Sequence, residues 1–409
     1  MTVTSETEVF VGVPDTSEGW IDRAREVSNI LAADALARDR AGEPPFREVQ
    51  LLKDSGLVTL LGPVEFGGGG QRWETAYKVV REIARADGSI GQLLGYHYLW
   101  AWAARLVGTD PQISAVEELY TSNRFFFGGA VNPRDTDLTV ADRGDTLVFN
   151  GVKSFSTGGR VTDLTVLEGI IDGTATHVFA IVPTAQDGIV FRGDWDNLGQ
   201  RLTDSGSVEI NDVEVDWASA AGFVDKEFQP LVYNTLNFPA IEIVFANFYL
   251  GIARGALDTA AEYTRTRTRT RPWPYGGDNR EIATDEWYLR EGYGDLQSKL
   301  WAAEAFVDQV SREADAVLHD ARENLTEQAR GDLAVRIAAA KLRAADVSLE
   351  ISNKIFELTG ARATSNDVGL DIYWRNIRTH TLHDPLAYKR REVGSRFLTG
   401  EIPEPTWYT

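Results

Sequence analysis

The 409-residue chain contains no cysteine, which excludes disulfides, thiolate-held metals and cysteine nucleophiles. Its single methionine is Met1, so the body carries no thioether to oxidise. Histidine is scarce, with five in all. Positive charge is in deficit: 41 Lys and Arg stand against 61 Asp and Glu, a formal net charge of -20. That balance argues against nucleic acid or an anionic membrane as partner. Long apolar runs are missing too. The longest, "AIEIVFANFYLGIA" (240–253), is too short to cross a bilayer and contains Glu242. The N-terminus is acidic and lacks the basic-then-apolar pattern of a signal peptide. The expectation is a cytoplasmic protein. No Gly-x-Gly-x-x-Gly follows a strand-like segment, so no nicotinamide site is evident.

What is present falls into blocks. Residues 1–18 read as a loose tail, and 19–124 as a helical domain. In "ETAYKVVREIARA" (74–86), Ala76, Val79, Val80, Ile83 and Ala84 recur at helical steps. The glycine-rich stretch "GPVEFGGGGQRW" (62–73) reads as a loop. From 125 to 222 the chain turns β-rich, and Asn150-Gly151 and Asp172-Gly173 signal hairpins of an antiparallel domain. Residues 223–409 hold four long amphipathic segments, which predict an up-down bundle. The fold class is α+β.

Several motifs carry a family likeness. "GPVEFGGGG", "REIARADGSIG", "KSFSTGG" and "LGQRLTDSGSVEINDVEV" together resemble the acyl-CoA dehydrogenase superfamily along nearly the whole chain. "DGSIGQLLGYH", "LTDSGS", "FANFYLGIARGALDTAAEYTRT" and "YWRNIRTHTLHDPLAYK" resemble its dibenzothiophene monooxygenase group. The resemblance implies a two-component enzyme in which a separate reductase supplies reduced FMN, with FAD as an alternative. Dioxygen then gives a flavin C4a-hydroperoxide, which oxygenates a small hydrophobic substrate at a heteroatom, sulfur foremost. Relatives also oxidise indoles and amines. It further implies a homo-oligomer, a tetramer of two dimers. The competing reading is an FAD-dependent acyl-CoA dehydrogenase, which needs a carboxylate base where this chain reads "LHDP".

The same resemblance assigns residues. Thr157 would bond near flavin N5, with Phe155 and Trp195 packing by the ring or substrate. Arg271 and Arg362 would reach a neighbouring subunit's flavin phosphate, with Arg269 competing for the role of Arg271. His97 and His383 would flank the oxygen-reacting face and manage its proton, and Tyr96 would border the substrate. Gly129 stands where the group carries asparagine, so an amide is missing there. His380 reads as structural. Asp384 before Pro385 reads as a helix cap. His-x-x-His across a helix break is poor ligand spacing, so no metal is expected.

Overall fold

A computed structural model describes residues 10–132, 137–271, 280–407 and 409; the first nine residues of the expected tail lie outside them. The N-terminal helices are α1 (Ser17–Ala32), α2 (Ala35–Ala41), α3 (Phe46–Asp54), α4 (Trp73–Ala86), α5 (Gly88–Ala101), α6 (Ala103–Val107) and α7 (Asp110–Asn123). In α4 the five periodic apolar residues are all buried. One residue, Asp87, separates α4 from α5. Its carboxylate accepts from the Ser89 and Ile90 amides, which caps α5 and turns the chain.

Every residue of α5 is buried. Glycine makes that possible. A Cβ on Gly91 would lie 2.5 Å from the Ala84 Cβ of α4, and one on Gly95 2.4 Å from a Val244 methyl. Neighbouring helices therefore approach α5 closely from two sides.

The strands are β1 (Phe127–Ala130), β2 (Leu138–Asp142), β3 (Thr146–Lys153), β4 (Leu164–Ile171), β5 (His177–Pro183), β6 (Ile189–Phe191), β7 (Val208–Asp216), β8 (Phe223–Val224) and β9 (Glu227–Phe228). The main sheet runs β1-β4-β2-β3-β7-β6, with β5 also on β4. It is mixed, because β1 and β2 both pair β4 in parallel. The Asp172-Gly173 hairpin joins β4 to β5. Asn150-Gly151 makes no hairpin: it lies inside β3, where the register with β7 shifts. Gly151 sits at φ +139, and a Cβ there would strike the Asp137 carbonyl. Glycine serves a bulge at that point rather than a turn.

The C-terminal helices are α8 (Asn237–Thr266), α9 (Trp287–Asp320), α10 (Glu327–Thr359), α11 (Asp371–His380) and α12 (Leu386–Thr399). Val232–Thr266 holds an apolar stretch long enough to cross a membrane, but 89% of that stretch is buried inside the fold. One core joins both helical regions and takes in Leu164, Val166 and Phe179 from the sheet and Val161 from the turn before β4. A second, smaller core fills the β region itself.

Candidate active site

A cavity of about 650 Å³ opens where the three parts meet. Helix α5 supplies Gln92, Tyr96, Leu99 and Trp100 to its wall, β1 supplies Gly129, and the turn after β3 supplies Phe155 and Thr157. The start of α8 adds Phe238 and Ile241; α11 and the turn after it add Arg378, His380 and His383. The walls are mainly apolar, yet they carry buried polar atoms without partners among the described residues: Gln92 Oε1, Trp100 Nε1, Gln200 Oε1, Arg378 Nε and Thr379 Oγ1. Buried polar groups are normally satisfied. A cluster of exceptions around one cavity marks where a ligand with donors and acceptors along its edges belongs.

On the β side, Thr157 is held by a chain of hydroxyls. Thr203 donates to the Gln200 carbonyl at 2.9 Å, and Ser205 donates to Thr203 at 2.8 Å. Each hydroxyl has one hydrogen, so in the Thr157–Ser205 bond of 3.0 Å the donor is Thr157. Its Oγ1 therefore offers the cavity an acceptor. Phe155 stands at the mouth, 68% exposed, with φ +58 in the left-handed region that a bulky residue rarely adopts. Its ring meets Trp195 edge-on at 6.2 Å. Trp195 is fixed in turn by its indole N–H to the Gln200 carbonyl at 2.8 Å.

On the helical side, His380 lies between two phenols: Tyr249 Oη is 2.7 Å from Nδ1 and Tyr96 Oη 3.3 Å from Nε2. Burial, and then the nearby charges of His383 and Lys341, push its pKa well below the ordinary value. The imidazole is neutral, so it donates at one nitrogen and accepts at the other. His383 stacks on it with ring centroids 5.5 Å apart. Behind them runs a buried ion cluster in which Lys341 meets Glu242 at 2.8 Å and Asp384 at 3.3 Å, and Lys389 meets Glu242 at 3.1 Å.

The family's N-terminal and C-terminal domain models, described as acyl-CoA dehydrogenase, match residues 16–116 and 243–387. A dibenzothiophene monooxygenase of Rhodococcus erythropolis is 38% identical over 402 residues, covering 93% of this chain and 94% of the relative. The chain belongs to the acyl-CoA dehydrogenase family. A probable FMNH2-dependent monooxygenase, SfnC of Pseudomonas putida, is 36% identical, covering 94% of this chain and 96% of the relative. Among solved structures, TdsC from Paenibacillus sp. A11-2 in complex with FMN and indole superposes with a TM-score of 0.89. That chain is 33% identical, with 95% of this chain and 99% of TdsC covered.

Within this acyl-CoA dehydrogenase fold, the cavity gathers Tyr96, Gly129, Phe155, Thr157, Trp195 and His383. It does not gather His97. That ring is wholly buried outside the lining, with Nε2–H donating to the Val58 carbonyl at 2.7 Å and Nδ1 accepting from the Phe127 amide at 3.0 Å. It stacks on Phe126 at 4.6 Å, and burial pushes its pKa down to about 4. Both nitrogens are used by backbone, so the catalytic expectation for His97 is corrected: it ties α5 to β1 and to the turn at Val58. Arg271 and Arg362 are exposed and line no part of the cavity. They do ride on linked segments, since Thr268 bonds the Thr359 carbonyl beside the Gly360–Arg362 turn.

Asp384 also differs from its expected role. Pro385 occupies the cap position of α12, and the Asp384 carboxylate takes Lys341 instead. Among the described residues it is the one carboxylate that lines the cavity. Locked in an ion pair, it is a poor base for abstracting a carbon-bound proton, which tells against the dehydrogenase chemistry of the wider family. The sequence did not reveal Gln92, Trp100, Gln200 or Arg378, nor the role of His380. The cavity suits a flavin ring, because its wall carries both donors and acceptors and has an aromatic border at Phe155 and Trp195.

Proposed function

We propose that this chain is the oxygenase component of a two-component system: it takes reduced FMN from a separate reductase, uses dioxygen, and oxygenates a small hydrophobic substrate, with the sulfur of an organosulfur compound as first choice. The observation that carries the reading is the set of unpartnered buried polar atoms around an aromatic-walled cavity. The similarity to FMN-dependent relatives over almost the full chain supports it. When bound, reduced flavin supplies the electrons that activate dioxygen.

The protein's residues bind, orient, exclude water and hold protons. Thr157 presents an acceptor, which suits a ligand N–H; the reduced flavin ring carries one at N5 that the oxidised ring lacks. Phe155 and Trp195 border the ring. Tyr96, braced by His380, places a hydroxyl in the cavity whose donor or acceptor sense follows the imidazole tautomer. His383 sits at the rim between cavity and solvent and manages the proton of the oxygen-reacting side. Leu198 and Leu382 line the opening and keep it apolar, which lowers the local dielectric.

Phosphate needs cations, and among the described residues Arg378 is the only arginine or lysine that lines the cavity. Arg271 and Arg362, exposed on linked segments, suit a site completed by a neighbouring copy, with a tetramer as the assembly. Trp287 and Trp301 on α9 and Phe397 on α12 leave large apolar side chains exposed for it. A cytoplasmic setting fits a dependence on delivered reduced flavin.

The reading is tested by mixing the protein with photoreduced FMN, then oxygen and dibenzothiophene. Oxygenated product by chromatography is the expected result. Butyryl-CoA turnover without oxygenated product would overturn the reading.

A further inference from the structure

Gln92, Tyr96 and Trp100 stand at four-residue steps on α5, so they share one face, and that face lines the cavity. Trp100 is 7% exposed, and its indole N–H has no acceptor among the described residues. Its place is set from the strand opposite. A Cβ on Gly129 would lie 2.6 Å from Trp100 Cε2 and 2.8 Å from Nε1. Any side chain at 129 would therefore push the indole away. The two residues form one unit in which β1 gives up a side chain and α5 puts a donor into the space.

An indole N–H can only donate. Leaving it buried and unpaired is costly, so its position on a cavity wall calls for a ligand oxygen or nitrogen. Gln92, 4% exposed, shows an unpartnered Oε1 on the same face, while the Tyr96 hydroxyl between them is already engaged with His380. The atoms around the donor are apolar. Leu99 and Ile241 share its wall, and its far side closes a small void lined by Val166, Phe179 and Ile181. That environment suits the body of a hydrophobic substrate.

We propose that Trp100 is a specificity-determining residue whose N–H bonds an oxygen carried by the substrate, so that the cavity favours an S-oxide over the parent thioether. A thioether sulfur is a weak acceptor and leaves the donor unsatisfied; a sulfoxide oxygen is a strong one. The inference rests on the monooxygenase reading for its choice of sulfur ligands, and Gly129 is the residue that makes it possible.

Calorimetric titration of the full chain with methyl phenyl sulfoxide and with thioanisole tests it, alongside FMN binding by fluorescence. The parent chain binds the sulfoxide more tightly than the thioether. Trp100→Phe keeps a ring and loses the donor, so sulfoxide affinity falls about tenfold while thioanisole and FMN affinities hold. Gly129→Ala, which displaces the indole, shifts the same ratio in the same direction, and retained FMN binding certifies both folds. Equal loss for both sulfur ligands, or no loss, overturns the proposal. So does a change confined to FMN, which would hand the donor to the cofactor. Failure of the monooxygenase reading appears separately, as no oxygenated product from the parent chain, and leaves the ligand comparison to stand or fall alone.

Discussion

Two imidazoles that look alike in sequence do different work, and substitution separates them. His97 gives both nitrogens to backbone, whereas His383 stands on the cavity wall. Replacing His97 with phenylalanine strands the Val58 carbonyl and the Phe127 amide. The expected loss is about 2–4 kcal/mol of stability, read as a lower urea midpoint, with hydrogen peroxide leakage per reduced FMN unchanged. His383→Phe is expected to do the opposite, leaving stability intact and diverting oxygen into free peroxide. The pH dependence carries the same mark. The His97 pKa is about 4 in the fold against 6.5 ordinarily, so the unfolded chain binds the proton more tightly. Its contribution is fully present above 6.5 and is lost as pH falls through about 4, a change of about 3 kcal/mol. His380, also pushed down by burial, adds to the slope in the same sense. An unfolding midpoint that is flat between pH 7 and 4, or identical slopes in parent and His97→Phe, would contradict this assignment.

At the scale of elements, α5 decides the site, and it does so through glycine. Gly91 and Gly95 each cost about 1 kcal/mol of helix propensity relative to alanine, but they admit α4 and α8 at close range. Gly95→Ala would drive a methyl to 2.4 Å from the Val244 side chain. A destabilisation of about 2 kcal/mol follows from overpacking, and Val244→Ala in the same chain should recover part of it by removing the methyl it strikes; no recovery would mean the strain lies elsewhere. The same helix shows why the cavity was hard to read from sequence. The periodicity of α4 announces which face is buried, because its other face is wet. Every side of α5 is buried, so Gln92 and Trp100 look like any other core positions. The β region tells a similar story. Asp172-Gly173 is a local signal and marks a real hairpin, while the parallel pairing of β1 and β2 with β4 is long-range and leaves no dipeptide trace. His380 read as structural because its partners Tyr96 and Tyr249 lie 284 and 131 residues away in sequence.

At the scale of the whole molecule, the position of Arg362 decides whether it can hold a flavin phosphate and for which subunit. The motifs legible in sequence named both the cavity residue Thr157 and the arginines, but the fold keeps them apart: Thr157 is buried beside Ser205, and Arg362 is exposed in the turn after α10. Either the arginines serve another copy, or they balance the acidic surface of a chain with net charge -20. Mixed assemblies decide between these. Thr157→Tyr fills the cavity of its own subunit, and Arg362→Ala removes the anchor while leaving the cavity open. Each variant alone is expected to lose FMN-dependent oxygenation. Unfolded together and refolded, they form hetero-oligomers in which an open cavity from one chain faces an intact Arg362 from the other, and activity returns. If Arg362 served its own chain, every open cavity in the mixture would still lack an anchor, and nothing would return. If it were only a surface charge, Arg362→Ala would be active by itself, with FMN affinity unchanged on titration. Bidentate contact between guanidinium and phosphate adds a further check: Arg362→Lys should keep the charge, recover only part of the affinity, and become more sensitive to salt.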